Sequence, residues 1–460
     1  MLTLFKVNIN WGAYTICAIM LLLLFPSLSW YSYFALLIAM HQVFLLFFSM
    51  NSVIPIRYLL GSFMCLQMFI GPALAYNGLD EYQYFMYRMK VPEAEYFSYA
   101  LPAVILFILG LHINAKKLDG ELPDIKRIGE YVDQHPKLAY WLIGIGFGAS
   151  IIGGFFGSEL SFIFYLMGSA KFIGAFLLLL GTKKLKIGPL ILIYGSIILS
   201  SLGQGMFHDL LTWLIMLGAV ICIRYKPDTT IKLSALAGFI ILVIVIQQIK
   251  TSYRAATSKG EAGDFETFST VVEAQNESGG FFNFENLASN NVRINQGFII
   301  TNIMFTVPDK EPYANGAELM QLLEAAFLPR ILAPNKLRAG DRSIFMKYSG
   351  IRIKKNTSMG LSSVGDAYVN FGTFGGSIFM FILGFIYSEV LNVFHKKSKN
   401  FPVLILFTTL VFYYPIRPDC ELQTILGHLV KSCFLIYVML IVWQKEFRLW
   451  PASLWKKSLS

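Results

Sequence analysis

Between Arg330 and Lys355 the chain carries Arg330, Lys336, Arg338, Arg342, Lys347, Arg352, Lys354 and Lys355 against a single carboxylate, Asp341. Cations at that density suit an anion. The planar fork of arginine suits a phosphate in particular, because it can make two parallel charge-assisted hydrogen bonds to it. Arg330, Lys336, Arg338, Arg342 and Arg352 are therefore candidate diphosphate ligands. Spacing does not choose between them, and a solvated basic loop resting on anionic headgroups accounts for the same count.

Acids and a histidine follow at the ends of apolar runs. Asp366 stands just before one such run and could serve as a general base or merely as a carboxylate favoured at a helix N-terminus. The segment Ile416-Arg417-Pro418-Asp419-Cys420-Glu421 puts a cation and two carboxylates within five residues at a membrane boundary, where each charge is costly unless used. A local ion pair is the plainer reading. His428 can titrate near neutrality and so is a candidate base or phosphate donor, although a core histidine bonded to a backbone carbonyl fits as well. His208 and Asp209 form a second pair at a helix start. Arg254, and with it Arg57, are further diphosphate candidates, and Arg293 is a candidate sugar contact. Lys171, midway through an apolar run, needs a partner inside the protein, for which Asp209 is available.

The elements that would hold these groups are membrane helices. Apolar residues make up 55% of the 460 and charged residues 14%, with a mean hydropathy of +0.58, which excludes an ordinary soluble domain. Near-continuous apolar runs of about 20 residues exclude a β-barrel. The expected fold is all-α and integral to the membrane, with about twelve spans: 8-26, 29-49, 53-76, 97-115, 138-156, 160-181, 187-204, 206-224, 232-250, 368-391, 401-414 and 423-443. Four cysteines fall inside these runs and only Cys420 near a polar turn, so no disulfide framework is expected.

The net charge of +10 maps onto short loops, and nothing in its pattern points to nucleic acid. Lys116, Lys117, Lys126, Arg127 and Lys137 follow the fourth span. Further clusters follow the sixth, eighth, tenth and twelfth. Because basic short loops stay cytoplasmic, both termini are expected inside and the connections after odd spans outside. This divides the chain into spans one to nine (1-250), a large extracytoplasmic loop (251-367), and spans ten to twelve with a basic tail (368-460).

The loop is segregated in charge. From Thr251 to Leu328 it holds ten carboxylates and four cations, and the basic stretch comes after. AELMQLLEAAFLP places Leu319, Leu322, Leu323, Ala326 and Phe327 on one face, predicting an amphipathic helix near 316-328 that lies on the membrane or the bundle. No Asp-x-Asp or His/Asp cluster of metal-ligand spacing stands out on the outer side, so a site without metal or cofactor is expected.

Pro329-Arg330, Pro334-Asn335-Lys336, the turn at Thr357-Ser358 and Gly365-Asp366-Ala367-Tyr368-Val369-Asn370-Phe371-Gly372 running into an apolar span resemble the outer loop of Wzy-type oligosaccharide repeat-unit polymerases. The motif covers roughly Ala325 to Gly376. Asp366 stands where members often carry Glu before the Tyr-x-Asn-Phe-Gly element, and the Arg417 turn resembles one found late in such polymerases. The resemblance implies a GT-C-like polymerase or ligase architecture in a bacterial inner membrane. It also implies glycosyl transfer on the outer face, with polyprenyl-diphosphate-linked oligosaccharides as donor and acceptor and a chain-length-regulating co-polymerase as an optional partner.

In that setting Arg330, Lys336, Arg338, Arg342, Arg352, Arg417, Arg254 and Arg293 would hold the diphosphate or the sugar, and Asp366, Asp419, Glu421 or His428 would supply the base. The alternatives are an O-antigen ligase, which shares topology and substrate, and a flippase for lipid-linked glycans, which would need polar residues through the spans and inverted repeats.

Overall fold

The structure is a computed structural model and describes residues 7, 9–115, 125–156, 158–181, 187–258, 260–277, 280–281, 284–328, 336–337, 340–354, 357–399 and 401–442. Arg330 and Arg338, together with Pro329, Pro334 and Asn335, lie outside them. Among the described residues every regular element is helical.

In chain order the helices are α1 (Trp11–Leu24), α2 (Trp30–Ser49), α3 (Ile56–Tyr76), α4 (Glu93–His112), α5 (Ile125–Gln134), α6 (Pro136–Phe155), α7 (Phe162–Leu180), α8 (Ile187–Gln204) and α9 (His208–Tyr225). They continue as α10 (Thr229–Ser258), α11 (Phe265–Glu277), α12 (Phe284–Ile294), α13 (Gly297–Thr306), α14 (Ala317–Phe327), α15 (Arg342–Ser349), α16 (Ser362–Ser398), α17 (Pro402–Val411) and α18 (Leu422–Val442).

Ten of these, α2 to α4, α6 to α10, α16 and α18, are long and apolar enough to cross a membrane. The other two of the twelve expected runs fall on shorter apolar helices among the described residues. α1 has 14 residues, and α17 opens as a tight 3-10 turn at Pro402. The segment around α17 nevertheless runs the length of α16. At one end the Phe401 amide donates to the Lys397 carbonyl, and at the other the Leu422 amide donates to Asp366.

The middle of the protein is the contact between α4 and α16. Gly110 and Gly384 let the two backbones meet: a Cβ on Gly384 would run into the Phe107 carbonyl and one on Gly110 into the Phe381 carbonyl. Small residues at such crossings are what membrane helices need, since association there depends on close packing. Arg57, at the start of α3, is buried beside this seam. It donates to the Leu111 carbonyl and, at 2.8 Å, to the Ser388 hydroxyl. That corrects its expected place among the diphosphate ligands, because Ser388 lies about 30 Å along α16 from Asp366 at 1.5 Å per residue.

The region between α10 and α16 is structured. α13 is apolar, and nearly all of it is buried; at ten residues it is too short to span and packs inside the bundle instead. α16 starts at Ser362, six residues before the apolar run does. It bends at Gly372, whose φ of +64° favours glycine and whose Cα faces the Tyr313 ring.

Candidate active site

The Gly365–Gly372 motif works as a junction of helix ends. The Asn370 side-chain oxygen accepts the Leu319 amide at 3.0 Å, capping α14, while its nitrogen donates to the Asp366 carbonyl. Asp366, 4% exposed, accepts the Leu422 amide at 2.7 Å and so caps α18. Tyr368 packs edge-on against Tyr99 at 4.9 Å. The orphan N–H groups of two helices are thereby satisfied from one short segment.

That junction sets the position of residues 417–421. Beside them opens a cavity of about 340 Å³ lined by Gln296 and Ile299 from α13, Gly340, Ser358 to Gly360, Arg417, Asp419 to Glu421, and Thr424. Gly360 must be small here, since a Cβ would lie 3.1 Å from the Glu421 nitrogen.

Arg417 and Asp419 pair at 3.0 Å with side chains 21% and 31% exposed. Gln67, carried on a π-helical turn of α3 at Leu66–Ile70, reaches Asp419 at 3.4 Å; such turns often mark functional sites. Burial raises the Asp419 carboxyl, but the Arg417 charge and the hydrogen bonds from Arg417 and Gln67 more than offset it, leaving it below the usual range. Arg417 is pushed above its ordinary value despite burial, chiefly by Asp419.

Glu421 differs. Its carboxylate accepts the Gly340 amide and, at 2.9 Å, the Thr424 hydroxyl, yet burial dominates and raises it. The turn thus holds one carboxyl kept ionised by a cation and one moved toward neutrality, an arrangement that separates a charge-holding role from a proton-accepting one.

The cation on the cavity lining is Arg417, and those linked to it electrostatically come from elsewhere than the basic stretch. Lys250 lies within electrostatic reach of Arg254, Arg293, Arg417 and Asp419, and Arg254 within reach of Arg293. Arg254 donates to the Gly205 carbonyl at 2.8 Å and Arg293 to the Thr251 hydroxyl at 3.3 Å. The apolar run 232-250 predicts a ninth span that ends at Lys250, so the sequence offers this lysine only as a span end. α10 in fact continues to Ser258. The signal was the like-charge i,i+4 pair Lys250 and Arg254, a spacing unfavourable in a helix without an anion nearby.

The described cations of the basic stretch are engaged within the protein or point outward. Lys336 donates to the Ala325 carbonyl at 3.0 Å and to the Leu328 carbonyl, closing the end of α14. Arg342 donates to the Ile353 carbonyl at 2.8 Å, and Lys347 pairs with Glu318 at 3.5 Å. Arg352 is exposed. His428 is buried, with Nε2 2.7 Å from the Leu410 carbonyl, the core arrangement weighed for it above. Lys171 has no tie to Asp209: its ammonium lies over the Phe147 ring at 5.0 Å, and Asp209 is engaged by His208 and Tyr413.

Residues 146–446 match the family model described as O-antigen polysaccharide polymerase Wzy. The chain belongs to that family. The match takes in α7 to α18 and every cavity-lining residue; Gln67, which reaches Asp419 from α3, precedes it. No curated protein and no solved structure matches. With ten apolar helices of spanning length, this is a multi-pass inner-membrane protein of polysaccharide biosynthesis, an O-antigen polymerase in general terms.

Proposed function

We propose that the cavity at Arg417–Glu421 joins lipid-linked repeat units. The donor is the growing glycan on a polyprenyl diphosphate, and the acceptor is a lipid-linked unit with a free sugar hydroxyl. The acceptor oxygen attacks the donor's anomeric carbon, the bond from that carbon to the diphosphate oxygen breaks, and polyprenyl diphosphate leaves with the electron pair. Glu421 takes the hydroxyl proton. Arg417, Lys250, Arg254 and Arg293 neutralise the charge that develops on the leaving group, and Asp419 and Gln67 hold Arg417 in place.

The observation that carries the reading is one turn on the cavity lining that holds the Arg417–Asp419 ion pair and, two residues on, Glu421, a carboxyl raised by burial, with Lys250 in electrostatic reach of Arg417. We read the reaction as metal-independent, because protein cations are at hand for the leaving group, and as facing outward, because the basic short loops fall on the opposite parity. Purified protein in lipid, given lipid-linked repeat units, should build a ladder of products that persists in chelator. Arg417→Ala and Glu421→Gln should reach the membrane and stop the ladder at single units. A normal ladder from both would refute the assignment.

A further inference from the structure

The turn between α8 and α9 lies outside the cavity lining, yet it grips the site at two points. The Gly205 carbonyl receives Arg254. Four residues on, Asp209 accepts the hydroxyl of Tyr413 and lies 2.6 Å from His208 Nε2. Tyr413 is 2% exposed, with its ring stacked on Trp213 at 5.3 Å and 21°. From it the backbone winds tightly to the cavity: Ile416 donates to Phe412, Arg417 to Tyr414 and Cys420 to Arg417. The Arg417 guanidinium lies 5.5 Å from the Tyr414 ring centre.

A carboxylate in the first turn of a helix ordinarily needs no explanation beyond the helix dipole. This one shares its Oδ1 between its neighbour His208 and a buried phenol from a segment about two hundred residues away, next to the residue under Arg417.

We propose that Asp209 is a positioning residue for Arg417, acting through the Tyr413 hydroxyl. The inference rests on the role given to Arg417 above. Tyr413 is stacked on one side and tethered at its tip, so the start of the 413–421 turn has one orientation, and the guanidinium is aimed before substrate arrives. Small misplacement of such a group is costly because it acts on charge that exists only in the transition state.

The test uses the full-length protein in lipid, with kcat and KM measured for lipid-linked repeat units. Tyr413→Phe keeps the ring stack and removes the donor. Asp209→Ala removes the acceptor, and Asp209→Asn keeps an acceptor oxygen. Tyr413→Phe and Asp209→Ala should lower kcat by about tenfold or more with KM little changed, and Asp209→Asn should recover most of the loss. In an Arg417→Lys background Asp209→Ala should cost less than about twofold, because residues acting as one unit are not additive.

Wild-type kcat in both Tyr413→Phe and Asp209→Ala, or the same loss with and without Arg417, would overturn the proposal. Should Asp209→Ala fail to fold, Tyr413→Phe and the Asn variant decide it by the same split. Full activity in Arg417→Lys and Arg417→Ala would instead remove the underlying reading, an outcome visible before any Asp209 variant is made.

Discussion

The Asp366 carboxylate accepts the backbone amide of Leu422 at 2.7 Å, so an acid near the start of one membrane helix caps the start of another. Its oxygen satisfies a buried N–H at the head of α18, one residue beyond Glu421. An unpaired buried donor costs about 1–3 kcal/mol. Asp366→Asn, which keeps an acceptor oxygen, should retain a full product ladder and most of the thermal stability. Asp366→Leu should lose about that much stability and, with it, the ladder. Melting in detergent alongside the gel checks both. A well-folded but inactive Asp366→Asn would make Asp366 the base and leave Glu421 as the acceptor for the Gly340 amide and the Thr424 hydroxyl.

Glu421 gives the pH dependence. Burial raises its carboxyl, outweighing the Gly340 amide and the Thr424 hydroxyl. A base must be ionised to accept a proton, and a raised pKa means that ionisation is lost at a higher pH than for a free glutamate. The acid limb of kcat against pH should therefore lie above the ordinary glutamate value of about 4.3. Glu421→Gln should lower kcat by about 10²–10⁴-fold and leave the residue of activity without that limb. A limb unchanged in the Gln variant would assign it to another group.

Much of this was open to a reader of the sequence, for reasons that differ by element. The spans were legible because lipid contact writes apolarity directly into each run, and the Arg417 turn because charges at a membrane boundary are rare enough to stand out. The basic stretch misled because a count of cations does not tell whether an ammonium meets a phosphate or, as with Lys336, the carbonyls at the end of α14. α13 was folded into the outer loop since ten apolar residues fall short of a span. The cap on Leu422 joins residues 56 apart in the chain, and no local pattern announces it. Lys250 was hidden at the end of a run whose helix continued.

The seam between α4 and α16 holds both ends of the long helix in register and can be tested without touching the site. A Cβ on Gly110 would lie 2.8 Å from the Phe385 nitrogen and one on Gly384 3.1 Å from the Leu111 nitrogen. Backbone cannot yield as a side-chain tip can. Gly110→Ala and Gly384→Ala should each destabilise the protein by about 1–3 kcal/mol through overpacking, read as a lower melting temperature and reduced yield in the membrane. Gly195→Ala on α8, where a Cβ would meet nothing within 4 Å, should be neutral or slightly stabilising through helix propensity.

Lys250 feels the like charges of Arg254, Arg293 and Arg417, with the opposite charge of Asp419 among them. Like charges held together without their anion weaken the empty protein, and a bound anion reverses the sign. Lys250→Gln should therefore do two opposite things: raise the melting temperature of the substrate-free protein and shrink the upward shift produced by polyprenyl diphosphate. The second effect follows because a ligand stabilises only in proportion to its affinity for the folded state. KM for lipid-linked units should rise by about tenfold, the loss of one charge-assisted contact of ~1.5 kcal/mol. The same titration with polyprenol lacking the diphosphate should shift parent and variant alike. A variant that loses stability when empty and keeps the full diphosphate shift would show Lys250 to be part of the scaffold, leaving Arg254, Arg293 and Arg417 to meet the leaving group.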